Sequence, residues 1–355
     1  MRIVSFGFQT WGRKTLQALI DSEHEAVLAV THPAADSAYK AIWNDSVEEL
    51  AREHGIPVHL TERADAETIE LVKRAEPDVI VVNSWYTWMP AELYDMPPHG
   101  TLNLHDSLLP KFTGFSPVLW ALISGAEEFG LTVHRMDEQL DTGDILVQKR
   151  LPIPAGATGT ELVLAGMELI PGAVHEALAA LTDGTAVWTP QNKAERTYFH
   201  KRSDRDSRID WSWDAVDLER FVRALSAPYP RAYSHYRGER IEVLHAVISE
   251  ARYGGTAGRV IVQEGGGAVV CGANTHRGGN TALVITPVRT ADPPPHPTGR
   301  KINPRGDIKP PPPPTPRGLI FPPGGQTPPP PPPPPPPRRG PGGGPRFALP
   351  VPEAP

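Results

Sequence analysis

The stretch Arg2 to Thr31, RIVSFGFQTWGRKTLQALIDSEHEAVLAVT, decides the fold. Arg2 to Phe6 is a short apolar run of the kind that a sheet buries on both faces. Gly7 and Gly12 bracket a turn into a helix on which Leu16, Leu19 and Ile20 recur at helical spacing. A second apolar run, Ala26 to Thr31, completes a β-α-β unit. The alternation continues with a helix over Ser46 to His54, a strand over Pro57 to Leu60, a helix over Ala66 to Arg74 and a strand over Val79 to Asn83. Repeated β-α units predict an α/β domain with a mostly parallel sheet and helices on both faces. Ligands of such sheets gather at the carboxyl ends of the strands.

The turn from Gly7 to Gly12 is not the GxGxxG dinucleotide fingerprint, and no acidic residue closes the next strand, so a nicotinamide enzyme is not expected. The chemistry is concentrated further on, in Thr101 to Ile145, TLNLHDSLLPKFTGFSPVLWALISGAEEFGLTVHRMDEQLDTGDI. Asn103 and His105 alternate with Leu102 and Leu104, which puts both polar side chains on one face of a strand end. Asp141 opens a DTGD turn in which Gly143 permits a tight bend. An amine attacking an acyl carbonyl passes through a tetrahedral oxyanion. A preorganised amide donor such as Asn103, with a cationic imidazole, stabilises that charge by several kcal/mol. Histidine exchanges protons near neutrality, since its unperturbed pKa is about 6.5, and a neighbouring carboxylate favours the imidazolium. That is the expected part of Asp141. A serine nucleophile at Ser107 lacks the glycine-flanked elbow such a residue needs.

This constellation, with SLLP and DTGDI around it, resembles the N-formyltransferases that use 10-formyltetrahydrofolate, a family that includes methionyl-tRNA, aminosugar and hydroxyornithine formyltransferases. The resemblance covers about the first four fifths of the chain. It implies that Asn103 holds the formyl oxygen, that His105 is the catalytic histidine, and that Asp141 supports it. It also implies that Ser107, Leu108, Leu109 and Pro110 form the loop beside the folate, with Asp137 and Leu140 as further contacts. In the segment NSWYTWMP, Trp85, Tyr86 and Trp88 would wall the pterin pocket; the alternative is that they pack beneath a helix. His32, His54, His59 and His134 are scattered without ligand spacing and read as surface or satisfied core histidines outside the chemistry, so no metal is expected.

The net charge of -6 and a pI near 6.1 give no sign of general attraction to a polyanion. Neither DNA nor a membrane is an expected partner. The single cysteine, Cys271, has no second thiol to pair with, which points to the cytoplasm. The N-terminus lacks the apolar core of a signal peptide, and no stretch reads as long enough to span a bilayer.

Helix signals run from Gly159 to Leu181, followed by TPQNKAERTYFHKRSDRDSRIDWSW. The organisation expected is a Rossmann-like formyltransferase domain over residues 1–185, a linker over 186–210 and a small OB-like β-barrel domain over 211–292. In the last of these, Leu218 to Ser226 reads as a helix, and Ala232 to Val288 as short strands punctuated by GGT, EGGG and RGGN. The basic run His200 to Arg208 reads as solvated linker, because Asp204, Asp206 and Asp210 interleave it. Residues 293–355 are runs of proline with glycine and arginine, which cannot bury a core and are expected to be disordered. A polyproline ligand for an aromatic groove is one reading of this tail. The preferred one is an out-of-frame reading of a GC-rich gene after VRTAD, with the last strand of the small domain cut short. Re-sequencing across the codons for Asp292 and Pro293 tests it, and an intact frame there ends the idea.

For the acceptor, the sequence reading favours a small-molecule amine over tRNA. Methionyl-tRNA formyltransferases carry a longer basic insertion after the second strand, whereas here THPAADSAYKAIWNDSVEEL is short and acidic. An arginine that the family often shows after the lysine-aromatic pair is replaced by Thr113, Gly114 and Phe115. The strings HDSLLPKFTGFSP, RIDWSW and LSAPYPRAY are similar to enzymes that formylate N5-hydroxyornithine in siderophore biosynthesis, which makes that the leading acceptor. An aminosugar nucleotide and methionyl-tRNA are the alternatives. A binding protein that kept the fold and lost activity would have no need of all three catalytic residue types.

Overall fold

The computed structural model describes residues 1–33, 43–263, 266–272, 280–285 and 288–290. Residues 34–42 of the segment read as short and acidic, and the whole proline-rich tail, fall outside them.

The first half builds β1 (Arg2–Gly7), α1 (Gln9–Ile20), β2 (Glu25–Thr31), α2 (Val47–Glu53), β3 (Val58–Leu60), α3 (Ala66–Ala75), β4 (Val79–Asn83), α4 (Ala91–Tyr94) and β5 (Thr101–His105). Ser46 caps α2 by accepting from the Glu49 N–H, and Asp65 caps α3 by accepting from Thr68. After β5 come β6 (Thr113–Gly114), α5 (Pro117–Ile123), β7 (Glu128–Arg135), β8 (Ile145–Pro152), α6 (Gly159–Met167) and α7 (Ile170–Thr182). Seven strands form one sheet in the order β3-β2-β1-β4-β5-β7-β8. Pairings among β1 to β5 are parallel, while β7 and β8 run antiparallel at one edge.

Strand alternation sorts the core. Ile3, Val79, Val81, Leu102 and Leu104 face one side with α1, α5 and α7, while Val4, Phe6, Val30, Ile80 and Val82 face the other with α3 and α4. Asn103 pairs with Val82 in register and shares that second side, opposite Leu102 and Leu104. The helix expected from Gly159 to Leu181 is broken at Glu168 and Leu169, just before Pro171. Against the sequence reading, Gly159 to Thr182 is long and apolar enough by length and composition to cross a bilayer. Half of that window is buried, and Leu162, Met167, Ile170, Val174 and Leu178 sit in the main core.

Beyond α7 lie β9 (Tyr198–Phe199), α8 (Ala215–Ala224) and seven further strands. These are β10 (Tyr233–Tyr236), β11 (Glu239–Val243), β12 (Ala246–Tyr253), β13 (Val260–Gln263), β14 (Gly266–Val270), β15 (Asn280–Ile285) and β16 (Val288–Thr290). They form two antiparallel sheets, β10-β11-β16 and β12-β15-β14-β13. The described strands thus make a pair of sheets where the sequence suggested one barrel. Leu218, Phe221, Val222 and Leu283 share a buried cluster with Val118 and Leu122 of α5, so a single core runs through both halves.

The turn from β1 into α1 depends on two glycines packed against each other. A Cβ on Gly12 would lie 2.5 Å from the Gly7 carbonyl carbon and 2.7 Å from its Cα. Both are backbone atoms that cannot swing aside. Gly12→Ala is therefore expected to cost about 1–3 kcal/mol through overpacking. Chemical denaturation reads this as a lowered midpoint at constant m, and a wild-type midpoint would refute the packing argument.

Candidate active site

Asn103 and His105 sit at the carboxyl end of β5, two positions apart, and emerge on the same face. Asp141 comes from the loop between β7 and β8. The structure brings the three together. Asn103 Nδ2 lies 3.4 Å from Asp141 Oδ1, and His105 Nδ1 lies 3.7 Å from Asp141 Oδ2. The second separation is an ion-pair distance too long for a hydrogen bond. His105 Nε2 donates to the Phe112 carbonyl at 2.9 Å, and Asp141 Oδ2 accepts the Gly114 N–H at 3.0 Å. Phe112 (φ 57°), Ser116 (φ 52°) and Asp141 (φ 54°) all hold left-handed backbone. Such conformations cost about 1–3 kcal/mol each and persist only where their surroundings enforce them.

The enforcement of Asp141 comes from residues the sequence reading placed in a linker. Gln191 Nε2 donates to the Asp141 carbonyl at 3.0 Å and to the Gly143 carbonyl at 2.8 Å. Arg196 donates to the Leu140 carbonyl at 2.6 Å, and Thr197 and Phe199 bind the backbone of residues 112–115. Thr189 pairs with Ile145. Residues 189–199 are thus stitched to both loops that carry the site.

Gly143 sits in a bend, as the sequence suggests, and is held to glycine by a second constraint as well. A Cβ there would lie 1.9 Å from the Arg135 carbonyl oxygen, so glycine is required by close backbone approach. Asp137 and Leu140 form the same loop. Asp137 Oδ1 accepts from the Gln139 N–H at 3.0 Å and from the Thr142 hydroxyl at 2.6 Å, while Leu140 is 40% exposed. In the SLLP loop, Ser107 and Leu109 are buried, and the Ser107 hydroxyl donates to the Lys111 carbonyl. Thr132 of β7 donates to the Ser107 carbonyl at 2.6 Å, and Gln148 of β8 donates to the Leu109 carbonyl at 3.0 Å. The Leu109–Pro110 peptide is cis.

The aromatics after β4 divide. Trp85 stacks on His32 at 4.0 Å and meets Phe6 edge-on at 5.1 Å. Tyr86 stacks with His32 and meets Phe8 edge-on, and its hydroxyl bonds Gln9. Trp88 is 66% exposed. A polar cavity of about 320 Å³ opens at the carboxyl ends of β1 and β2, lined by Phe8, Gln9, His32 and residues from Asn44 to Arg52. A larger hollow of about 590 Å³, lined by Phe129, Leu151 and Leu162, lies at the opposite end of β7 from Asp141's partners and takes no part in this cluster.

Two titratable groups beside the three were missed. His134 of β7 is the direct antiparallel partner of Asn103, and its Nε2 lies 3.1 Å from Asn103 Nδ2. The sequence reading set His134 outside the chemistry. It is a buried histidine with its hydrogen bonds met, as expected, but one of them is to the candidate catalytic amide. Only the pairing of β5 with β7 reveals this, and no motif spacing encodes that pairing. Asp106 follows His105 directly. Burial pushes its carboxyl up to about 6, opposed by the neighbouring His105 and by a bond from the Trp11 indole. Asp106 Oδ1 has no hydrogen-bond partner among the described residues.

The Asp106 shift has a definite sign. Its folded value of about 6 lies above the ordinary 3.8, so folding favours the protonated acid. The penalty is absent below the ordinary value and complete once the pH has risen through the folded one. Asp106→Asn is expected to raise stability above pH 7 by about 1–3 kcal/mol and to leave it unchanged below pH 4. Thermal melts at the two pH values check this, and equal effects at both would exclude a titration origin. Asp141→Asn, by contrast, should lower turnover, because the carboxylate that lies 3.7 Å from His105 Nδ1 and accepts the Gly114 N–H is lost. Wild-type turnover in that variant would remove its support role.

An amide, an imidazole and a carboxylate converging at strand ends of a parallel sheet are the groups that acyl transfer without a covalent nucleophile calls for. The formyl transferase pattern matches residues 1–177, and its C-terminal domain pattern matches residues 201–292. This chain belongs to the formyl transferase family and is a formyltransferase. A methionyl-tRNA formyltransferase from Pseudomonas fluorescens is 37% identical over 275 residues, covering 77% of this chain and 86% of its own length. Another from Pseudoalteromonas translucida is 32% identical over 311 residues, covering 86% and 95%. Two solved structures share the fold. HypX from Aquifex aeolicus in complex with tetrahydrofolic acid has a TM-score of 0.54 at 22% identity, over 82% of this chain and 44% of that one. WlaRD, a sugar 3N-formyl transferase, has a TM-score of 0.60 at 16% identity, over 80% and 97%.

These relatives correct the reading of the acceptor. A small-molecule amine was favoured over tRNA, yet the relatives matched along both halves are methionyl-tRNA formyltransferases. A siderophore hydroxyornithine acceptor finds no support among them. Overall charge and the length of one loop misled, because a polyanion responds to the local surface and not to a chain-wide average.

Proposed function

We propose that this formyltransferase moves the formyl group of 10-formyltetrahydrofolate to the α-amine of methionyl-tRNA. The chemistry rests on one observation, the convergence of Asn103, His105 and Asp141 at the end of β5. In this reading the Asn103 amide and the His105 ring stabilise the oxyanion formed as the amine attacks, and Asp141, 3.7 Å from His105 Nδ1, holds that ring in place. The acyl bond to the folate nitrogen then breaks as the oxyanion collapses. The proton lost by the amine passes to the leaving nitrogen.

The acceptor rests on the relatives and gains support from the surface beside the site. The acids that interleave the basic run are engaged locally. Asp204 binds Arg240 at 2.7 and 2.9 Å, Asp206 caps Ser203, and Asp210 accepts from Ser212. Lys193 is exposed on the segment that is stitched to the site, and Lys201 and Arg205 are exposed just beyond it. Such a surface suits a phosphate backbone. Purified protein with 10-formyltetrahydrofolate should release tetrahydrofolate when given methionyl-tRNA, with formylmethionine recovered on deacylation. Turnover with N5-hydroxyornithine or an aminosugar nucleotide and none with methionyl-tRNA would overturn the proposal.

A further inference from the structure

We propose that His134 is a positioning residue that fixes the orientation of the Asn103 amide. The inference rests on the catalytic part given to Asn103 above. His134 is 2% exposed, and its two ring nitrogens have different partners. Nδ1 lies 2.8 Å from the Arg135 carbonyl oxygen, which can only accept, so Nδ1 carries the hydrogen. In a neutral ring Nε2 is then bare and can only accept. The atom of Asn103 that meets it at 3.1 Å must therefore be the amide nitrogen.

The amide nitrogen has two hydrogens. One is anchored on His134 Nε2, and the other points toward Asp141 Oδ1 at a long 3.4 Å. The anchored bond fixes the plane of the amide. The loosely held hydrogen is the one available to a developing oxyanion, already aimed before substrate arrives. Without His134 the amide would turn about its terminal torsion, which has a broad, roughly two-fold profile. The oxygen could then face the oxyanion and repel it.

The neutrality of the ring matters to this device. Burial holds the His134 imidazole below its ordinary value, with the His105 ring acting in the same direction. Asp141, the Arg135 carbonyl and Asp137 act in the opposite direction. A protonated ring would donate from both nitrogens and turn the amide over. The folded value lies below the ordinary one, so the ring stays bare at Nε2 through neutral pH and loses that state only on acidification.

The test compares His134→Leu, which removes the acceptor, with His134→Gln, whose amide oxygen can replace it. His134→Leu is expected to lower kcat at least tenfold with KM for 10-formyltetrahydrofolate unchanged, and His134→Gln to recover most of that loss. The imidazole ¹⁵N spectrum of the unaltered protein should show His134 protonated at Nδ1 and bare at Nε2 at neutral pH. Wild-type kcat in His134→Leu, no recovery in His134→Gln, or a ring protonated at Nε2 would each overturn the inference. If the unaltered protein formylates no acceptor, the reading of the site fails instead. The ¹⁵N result still judges the hydrogen-bond assignment, independent of activity or of whether a variant folds.

Discussion

Replacing His105 with alanine should lower formyl transfer by roughly a hundredfold or more while leaving the fold intact. The structural loss is small. His105 is 8% exposed, and its side chain gives up a single bond to the Phe112 carbonyl and a 3.7 Å approach to Asp141. The chemical loss is large because, among the described residues, no other imidazole has the same placement. His134 has one nitrogen on the Arg135 carbonyl and the other on the Asn103 amide. Asn103→Ala should produce a loss of similar size for a different reason, the missing oxyanion donor, which for one such donor is worth about a hundredfold to a thousandfold. Single-turnover transfer at saturating donor, with circular dichroism as the check on folding, measures both. Near-wild-type turnover in a folded His105→Ala protein would remove the imidazole from the mechanism.

The second large effect is expected at Gly143, where alanine should damage stability and catalysis together. The added carbon would overlap the Arg135 carbonyl oxygen at 1.9 Å, a contact with backbone that rotation of a side chain cannot relieve. Either the Arg135 N–H gives up its 2.9 Å bond to the Asp144 carbonyl, or the whole turn shifts. The cost is about 1–3 kcal/mol for overpacking, with about as much again if a backbone bond is left unmade. Asp141 is two residues away and shares its Gln191 clamp with the Gly143 carbonyl, so any shift reaches the carboxylate. The melting temperature should fall by several degrees and turnover should fall with it. A variant that melts like the wild type would show that the backbones are not in forced contact.

The sequence spoke clearly where structure follows from local pattern. The apolar runs of β1, β2 and β4 are buried on both faces, and their unbroken character is what a parallel sheet requires. Ser46 and Asp65 mark their helix starts because their side chains satisfy otherwise unpaired N–H groups. Asn103 and His105 were found together because residues two apart on a strand share a face. What was missed depends on contacts between distant segments. His134 reaches Asn103 only because β7 returns antiparallel beside β5, and Gln191 reaches Asp141 across 50 positions. Neither pairing has a local signature. Gly143 was picked out for its bend, and the close approach to Arg135 that also demands glycine stayed hidden, since both leave the same letter in a sequence.

The seam between residues 189–199 and the two loops of the site bears on how such enzymes exchange parts. A module that ended with α7 would leave behind Gln191, Arg196, Thr197 and Phe199, and with them the brace on the turn that carries Asp141. Grafting a foreign carboxy-terminal domain onto this transferase therefore has to begin past Phe199. Recombination upstream of that point would deliver a half-enzyme with every reacting group encoded and the loop that carries one of them unmoored.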